Sequence, residues 1–262
     1  MRGLYAIYRK EMGHYFVSPV AYVVVALFLV VTGFFFKLYL DDAIQSSMQA
    51  QLQGMQYGMT PPFDAPGQVL RETLGFLALI CLFILPALTM GAYAEERRRG
   101  TIELLMTSPI SEIDIALGKF LASLTLFAAM LLPTATYVVF IFHQSDPAAP
   151  LRIVLVGYLG VLLFGGSLLA LGSFLSTLTE SQIIAFVVTF GAFLLLWALD
   201  FGSRGADGAA GQTVQYLSVI NHYEDFTRGI IDTSGVIYYL SFIVLFVFLT
   251  VRSIDSMRWR RA

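Results

Sequence analysis

Long runs of apolar residues alternate along this chain with short polar segments. A lipid hydrocarbon core of about 30 Å requires about 20 mostly apolar residues in a helix, because no backbone polar group can stay unpaired there. The pattern therefore predicts an all-α polytopic membrane protein. The segments that meet the length requirement, and that we expect to be six transmembrane helices, are residues 18–39, 69–92, 113–142, 152–177, 182–201 and 235–251.

The composition supports this prediction. Of the 262 residues, 57% are hydrophobic and 13% are charged, whereas a soluble domain is roughly 45–50% apolar and about 25% charged. An even number of spans places both termini on one side, and the cytoplasmic side of a membrane protein carries the excess of Lys and Arg. We therefore predict cytoplasmic termini. The inside then holds Arg2, Arg9, Lys10, Arg97, Arg98, Arg99, Lys119, Arg252, Arg258, Arg260 and Arg261, and the outside or its edge holds Lys37, Arg71, Arg152, Arg204 and Arg228.

Residues 1–17 precede the first span and combine basic with apolar groups. Leu4, Tyr8, Met12 and Tyr15 recur at helical spacing, which indicates a short helix in the membrane interface, with a frayed cytoplasmic tail as the alternative. The apolar run that follows exceeds the 7–15 residues typical of a signal peptide, and no small-x-small cleavage site comes after it. We interpret that run as a retained span.

Several small or cyclic residues lie inside the spans. Pro86 and Pro133 each remove an amide donor and are expected to kink their helices. Gly166 and Ala170 form a small-xxx-small pair, which permits close helix approach either within a bundle or between subunits. Cys81 is the single cysteine, so the chain has no intrachain disulfide, and its apolar surroundings indicate a small core residue.

The first outer segment, residues 41–66, is polar and methionine-containing. Met48, Met55 and Met59 could suggest a soft-metal site, because thioethers favour Cu(I). They also belong to an apolar stripe at spacings of three or four residues, which an amphipathic element explains without a metal. We therefore predict no metal site here.

The longest outer segment, residues 202–234, begins with a flexible stretch and continues with enough apolar residues for short helices that dip toward the membrane. His222, Glu224 and Asp225 lie close together in this segment. Their spacing is not that of one helical face, which favours a solvated cap over a metal site.

Catalytic chemistry has no clear signal in this chain. The pair Gly118-Lys119 resembles the end of a phosphate-binding loop, but Ile113 occupies the position where that loop requires glycine. Intramembrane enzymes and proton-coupled carriers bury ionisable groups within their spans, whereas Asp200 and Lys37 lie at span ends. We expect no catalytic residue and no nucleotide site.

Residues 93–112, between spans two and three, are dense in charge and must lie in water. Gly100 permits a turn, and Thr101 can cap a short helix of about two turns, or roughly 10 Å. Ser108-Pro109 ends that helix. Ser111 with Asp114 makes a capping box, so a new helix is expected from about Glu112.

The short helix has an apolar face formed by Ile102, Leu105 and Met106. Such a face can dock in a partner's groove or lie on the membrane, and spacing alone does not decide between them.

The stretch AEERRRGTIELLMTSPISEIDIALGKFLA resembles the signature between the second and third spans of ABC-2 type transporter permeases. The closest similarity is to the branch of the gliding-motility and nitrous-oxide-reductase-maturation permeases. LGSFLSTLTESQ and HYEDFTRGIIDTSGVIYYL are similar to the same branch. The resemblance covers essentially the whole chain and makes residues 1–262 a single ABC-2 type transmembrane domain. Its parts are the interfacial helix 1–17, the cytoplasmic coupling segment 93–112 and the periplasmic re-entrant segment 202–234.

The resemblance implies functional residues at three places. A coupling helix at residues 100–107 would enter a cleft on a separate cytoplasmic ATPase, a second cytoplasmic turn would be an auxiliary contact, and outer re-entrant helices would close the path. The ATPase-coupling residues would be Glu95, Glu96, Arg97, Arg99, Gly100, Thr101, Ile102, Glu103, Leu104, Leu105, Met106, Thr107 and Pro109. The auxiliary contact would be Thr179, Glu180 and Gln182, and the periplasmic gate would be His222, Glu224, Phe226, Arg228, Gly229 and Asp232.

The function implied is that of a permease subunit in an ATP-binding cassette exporter of the bacterial cytoplasmic membrane, working by alternating access. ATP and Mg would bind a partner ATPase dimer, and this chain would have no cofactor. A second permease copy or a related permease, membrane lipid, and a periplasmic or membrane accessory protein are the other expected partners, and nucleic acid is not expected. The methionine-containing first outer loop departs from the family, so no substrate is carried over. A non-transporting scaffold, a secondary carrier and an intramembrane enzyme are the alternatives.

Overall fold

A computed structural model describes residues 2–57, 64–102, 110–145, 150–204 and 218–259. Within these ranges the chain is helical except for short turns, which confirms the all-α prediction. The helices are α1 Arg2–Val17, α2 Pro19–Tyr57, α3 Ala65–Thr89, α4 Ala94–Arg98, α5 Glu112–Leu131, α6 Ala135–Gln144, α7 Leu151–Thr177, α8 Gln182–Arg204, α9 Asn221–Thr227 and α10 Thr233–Trp259.

Six stretches of the described chain are long and apolar enough to cross a membrane, as predicted: Pro19–Met55, Ala65–Arg98, Glu112–Gln144, Leu151–Thr177, Gln182–Leu199 and Thr233–Met257. In the apolar part of the second, third and fourth stretches, 61–67% of the residues are buried within the protein, whereas in the other three only 17–22% of the residues are buried. The helices α3, α5 and α7 therefore form the inner layer. The helices α2, α8 and α10 surround it and present apolar side chains outward, where lipid solvates them.

Glycines on α7 receive large side chains from the neighbouring helices. A Cβ atom added to Gly157 would lie 2.3 Å from Leu74 of α3, and one added to Gly165 would lie 2.2 Å from Phe127 of α5. Gly166, part of the predicted small-residue pair, has Ile243 and Leu124 of the same chain nearby. Within the described residues, the close approach predicted for this helix is therefore made inside the bundle.

The two prolines that were expected to kink their helices have different effects. At Pro133 the α-helix gives way to a 3-10 turn, Leu132–Thr134, before it resumes as α6. The Thr134 hydroxyl donates to the carbonyl of Leu131 at 2.6 Å, which satisfies that group inside the apolar layer. Around Pro86, α3 stays helical, and Met90 N donates to Pro86 O at 2.9 Å.

The first span is longer than predicted. We expected a span over residues 18–39 followed by an outer loop, but α2 runs from Pro19 to Tyr57 without a break. The physical reason is that no proline interrupts this stretch, while apolar residues keep recurring at helical spacing. Residues 41–57 are therefore a helical extension beyond the span rather than a loop.

Candidate coupling site

The chain leaves the second span through a short helix and a glycine turn. The helix α4, Ala94–Arg98, is followed by Gly100, whose φ of +69° is a left-handed conformation that favours glycine. The Thr101 hydroxyl donates to the carbonyl of Glu96 at 3.4 Å, so it closes the end of α4. On the far side of the segment, Ser111 Oγ accepts from Asp114 N at 3.1 Å, which is the N-cap hydrogen bond of the predicted capping box.

The central part of the predicted coupling helix lies outside the described residues. It comprises Glu103, Leu104, Leu105, Met106, Thr107 and Pro109. Of the predicted apolar face, Ile102 is described, and it is 7% exposed. The geometry of the site is therefore that of its two flanks and of the elements that hold them.

A buried lysine joins these flanks. Lys119 Nζ, on α5, lies 2.9 Å from Glu11 Oε1 of α1 and 3.1 Å from Glu96 Oε2 of α4. It also donates to the carbonyl of Ala92 at 2.7 Å. The lysine side chain is only 3% exposed, and a charge so far from water is stable only when it is paired and hydrogen-bonded. The contacts tie α1, the exit from α3 and the start of α5 together.

A second lysine completes the group that we call the base cluster, formed by Lys10, Glu11, Glu96 and Lys119. Lys10 Nζ lies 2.6 Å from Glu96 Oε1 and 3.5 Å from Glu11 Oε1. Burial disfavours the charged form of Lys10, but the hydrogen bonds and charges of Glu96 and Glu11 together outweigh it and raise the pKa of Lys10 above its ordinary value. Two cations thus neutralise two carboxylates.

The side chain of Arg97 joins the coupling segment to the turn that was predicted as the second cytoplasmic contact. One guanidinium nitrogen donates to Thr177 O at 2.6 Å, and another lies 3.0 Å from Glu180 Oε1. Of the other predicted auxiliary residues, Thr179 Oγ1 accepts from the amide of Ser181, and Gln182 begins α8. Sequence reasoning assigned these two turns separately, and the structure brings them into direct contact.

Ser176 makes a further connection between the same turns. Its Oγ accepts from the amides of Tyr93 and Ala94, both at 3.2 Å, and donates to the carbonyl of Met90 at 3.1 Å. The Met90 carbonyl lies at the end of α3 and the two amides lie at the start of α4, where helices leave such backbone groups unpaired. One hydroxyl from α7 therefore satisfies the chain at the point where it leaves the second span.

The outermost charges of the segment face solvent. Arg99 is ion-paired with Glu95 one helical turn away, and the Arg99 side chain is 62% exposed. Among the predicted ATPase-flanking residues, Arg99 is thus at the surface and Glu95 is paired with it, whereas Glu96 and Arg97 are bonded to other elements of the chain. A partner protein can reach the first pair without breaking the base cluster.

The N-terminal helix α1 lies directly on α5. Gly118 makes this possible, because a Cβ there would lie 2.8 Å from Ile7 Cγ2 and 3.2 Å from Leu4 O. Ile7 is 3% exposed and packs with Ile115 and Tyr93 in a small apolar cluster of its own. Residues 2–17 are accordingly a packed helix and not an irregular tail.

At the opposite end of the bundle, α9 is held inside by two aromatic side chains. Phe226 is fully buried against Gly160, where an added Cβ would lie 2.4 Å from the phenylalanine Cβ. The Tyr223 hydroxyl donates to Leu74 O at 2.7 Å. The chain then turns at Gly229, whose φ is +76°.

The polar residues predicted for the gate lie on the outside of α9 and its turn. The His222 ring stacks on Tyr238 with centroids 4.2 Å apart, and Arg228 pairs with Glu224 at 3.4 Å. Asp232 accepts from the amide of Ser234 and so begins α10. In the described part of the chain, no three His, Cys, Asp or Glu side chains lie close enough to hold a metal.

Sequence reasoning missed the base cluster. The sequence marks Lys119 as a basic residue on the inner side and as half of a rejected phosphate-loop pair, and nothing in it links Glu11 or Lys10 to this lysine. The available signal was that Lys119 falls within the predicted span 113–142, where an ionisable group needs a partner. The identity of that partner is not visible in local sequence, because Glu11 is 108 positions away.

The family profile described as ABC-2 family transporter protein matches residues 5–254, which include the first five spans, most of the sixth and the coupling segment. Comparison with curated protein sequences gave no match. The profile match agrees with the helical architecture and with the resemblance carried by the segment between spans two and three. The chain therefore belongs to the ABC-2 family of transporter proteins, as a permease with multiple membrane-spanning helices.

Proposed function

We propose that this permease is the membrane subunit of an ATP-binding cassette exporter in a bacterial cytoplasmic membrane, driven by a separate cytoplasmic ATPase dimer. The observation that carries the proposal is the pair of connections at the coupling segment. The base cluster joins its two flanks, and Arg97 joins it to the second cytoplasmic turn.

A coupling element transmits motion only if its base does not yield. Breaking a buried ion pair by removing one partner costs about 3–5 kcal/mol, because an uncompensated charge is left behind. Displacement of the coupling segment is therefore passed to α1 and α5 through Lys119, and to the end of α7 through Arg97 and Ser176. The helices α5 and α7 belong to the inner layer, and α1 packs against α5. A displacement of the segment therefore reorients the spans together.

The roles divide by the partners of each side chain. Glu95 and Arg99 contact the ATPase beside the apolar residues of the segment, and Glu180 supports the second turn through Arg97. ATP and Mg²⁺ bind the ATPase, and this chain supplies no catalytic residue. A second permease copy, or a related permease, stands over the second ATPase subunit, and alternating access follows from closure of the ATPase dimer. Lipid surrounds the outer helices.

The test compares two variants in the complex of the full-length permease with its co-purified ATPase, reconstituted in lipid vesicles. Arg97→Ala separates the two cytoplasmic turns, so we expect the ATPase to stay bound while its stimulation by the permease falls by at least about tenfold. Leu105→Asp places a charge on the predicted docking face, so we expect it to release the ATPase. Arg98→Ala, an exposed neighbour on the same helix, is the matched control and should behave as wild type.

Other outcomes identify the alternatives. If the permease recruits the ATPase but never stimulates it, the chain is a scaffold. If transport follows an ion gradient without any ATPase, it is a secondary carrier. Wild-type stimulation and transport in both Arg97→Ala and Leu105→Asp would show that the segment does not couple.

A further inference from the structure

The extension of α2 presents large apolar side chains to water. The helix continues for 17 residues beyond Leu40, near the outer boundary of the membrane, to Tyr57. Met48, Leu52 and Met55 then lie roughly 12–22 Å beyond Leu40 along the helix axis, whereas the headgroup layer is only about 6 Å thick. Lipid tails cannot cover these side chains.

Small residues of this extension face the rest of the chain, and its large apolar residues face away from it. Ala43 and Gly54, which are small, are the residues turned inward and buried. Met48, Leu52 and Met55 point outward and are 59%, 66% and 84% exposed. An apolar stripe that faces water and carries the larger side chains is typical of a contact surface.

The same exposed face continues down into the membrane. Val23, Val30 and Phe34 are 66%, 70% and 58% exposed, and they share the helical phase of Ile44 and Met55. A partner that covers this face along its whole length must therefore itself cross the membrane and rise beyond it.

Between the two apolar parts, the face carries one charge of each sign. Lys37 and Asp41 are exposed and lie one helical turn apart on this face. Within the described residues neither makes an ion pair. From Ala43 to Tyr57 the extension carries no charge, and its polar residues are mostly glutamines. Two copies of this helix would meet without like charges from Ala43 to Tyr57, and each Lys37 would reach the partner's Asp41 one turn away.

We propose that the outward face of α2 is the contact surface for the α2 of a second copy of this chain. The two helices run parallel, in contact from the membrane to Met55, with Lys37 and Asp41 paired across the interface. This inference rests on the two-permease arrangement of the proposed function. A parallel copy supplies a helix of the same length, with the same uncharged extension and at the same depth in the membrane. A soluble accessory protein or a lipid headgroup does not.

The test is cysteine cross-linking of the full-length permease in membranes. Cys81 is buried in the core and is replaced by serine. Single Met48→Cys and Met55→Cys variants should form a disulfide-linked dimer under mild oxidation, because Cα atoms on a shared helix seam approach within the roughly 7 Å that a disulfide needs. Gln53→Cys, on the opposite exposed side of the same helix, is the control. We expect on the order of tenfold more dimer from the seam variants.

The charges give a second readout. Lys37→Asp alone and Asp41→Lys alone place like charges on neighbouring turns of the interface, so each should reduce the Met48→Cys dimer severalfold. The double exchange restores opposite charges and should restore the dimer.

The outcomes separate this inference from the proposed function. Two permease copies per complex by native mass spectrometry, without seam cross-links, would overturn the α2 contact and leave the permease assignment in place. Cross-links only to a different protein, or equal yields from all three cysteines, would overturn it as well. A complex with one permease copy would overturn both the contact and the two-permease arrangement.

Discussion

At the scale of single residues, the base cluster is the unusual feature of this protein. A lysine that is 3% exposed contacts two carboxylates, and a second lysine balances the charge. Tyr93 adds its ring, with Lys119 Nζ 5.1 Å from the ring centroid. Because every charge has an opposite neighbour, the cluster holds three segments together without leaving an unpaired charge in the low-dielectric interior.

Replacing Lys119 with methionine tests that account. The variant keeps most of the side-chain volume but leaves Glu11 and Glu96 facing each other with only Lys10 between them. We expect the free energy of unfolding to fall by about 3–5 kcal/mol, measured as resistance of the detergent-purified permease to denaturant.

The matched control removes a surface cation in the same way. Arg252 lies 3.6 Å from Asp255, but its side chain is 66% exposed, so water already screens the pair. Arg252→Met should therefore leave stability close to wild type. Equal losses in the two variants would contradict a special role for the buried cluster.

At the scale of secondary-structure elements, the close approach of α1 to α5 decides where the base cluster forms. Gly118 lies directly beneath Ile7 and Leu4, and any larger residue must push α1 away. That displacement would also carry Glu11 away from Lys119. A small residue in α5 thus sets the geometry of an ion pair on the neighbouring helix.

The paired variants Gly118→Ala and Gly13→Ala isolate this effect. Gly13 is on α1 itself, and a Cβ there would meet nothing within 4 Å. Both changes gain helix propensity, up to about 1 kcal/mol, but Gly118→Ala also introduces overpacking that costs about 1–3 kcal/mol. We expect Gly118→Ala to expose Arg9 and Lys10 to trypsin sooner than Gly13→Ala. Equal cleavage rates would show that α1 does not depend on this contact.

At the scale of the whole molecule, the predicted topology places the C-terminal ends of α2 and α10 on opposite sides of the membrane. In that topology the extension of α2 would be outside and the C-terminal part of α10 would be in the cytoplasm, because the inner side is the one that carries most of the Lys and Arg residues. The coupling segment would then share the cytoplasm with both termini. The fully buried α9 aromatics lie at the opposite end of the bundle.

A membrane-impermeant maleimide tests this topology in intact cells. In a Cys81→Ser background, Gln53→Cys should react from outside, whereas Ser256→Cys should react only after the membrane is opened. Both positions are exposed in the protein, so access depends on the membrane alone. Labelling of both in intact cells would contradict the even number of spans, and labelling of Ser256→Cys alone would invert the orientation.

The sequence by itself determined the number of spans, the N-cap at Ser111, and the glycine turn at Gly100. Each of these depends on a single segment, through apolar periodicity, the high cost of charge in lipid, or the conformational freedom of one residue. The same local signals led to the family resemblance. They also placed Glu180 and Arg97 in separate turns without any indication that the two touch.

Only the tertiary structure decided which charges meet and which apolar faces remain uncovered. Lys10 and Glu96 are 86 positions apart, and Lys119 and Glu11 are 108 apart, so no local pattern could pair them. The stripe of Met48, Leu52 and Met55 was visible in the sequence, but its outward direction was not. That direction follows from which side of α2 packs on the rest of the bundle, and packing depends on residues far away in the chain.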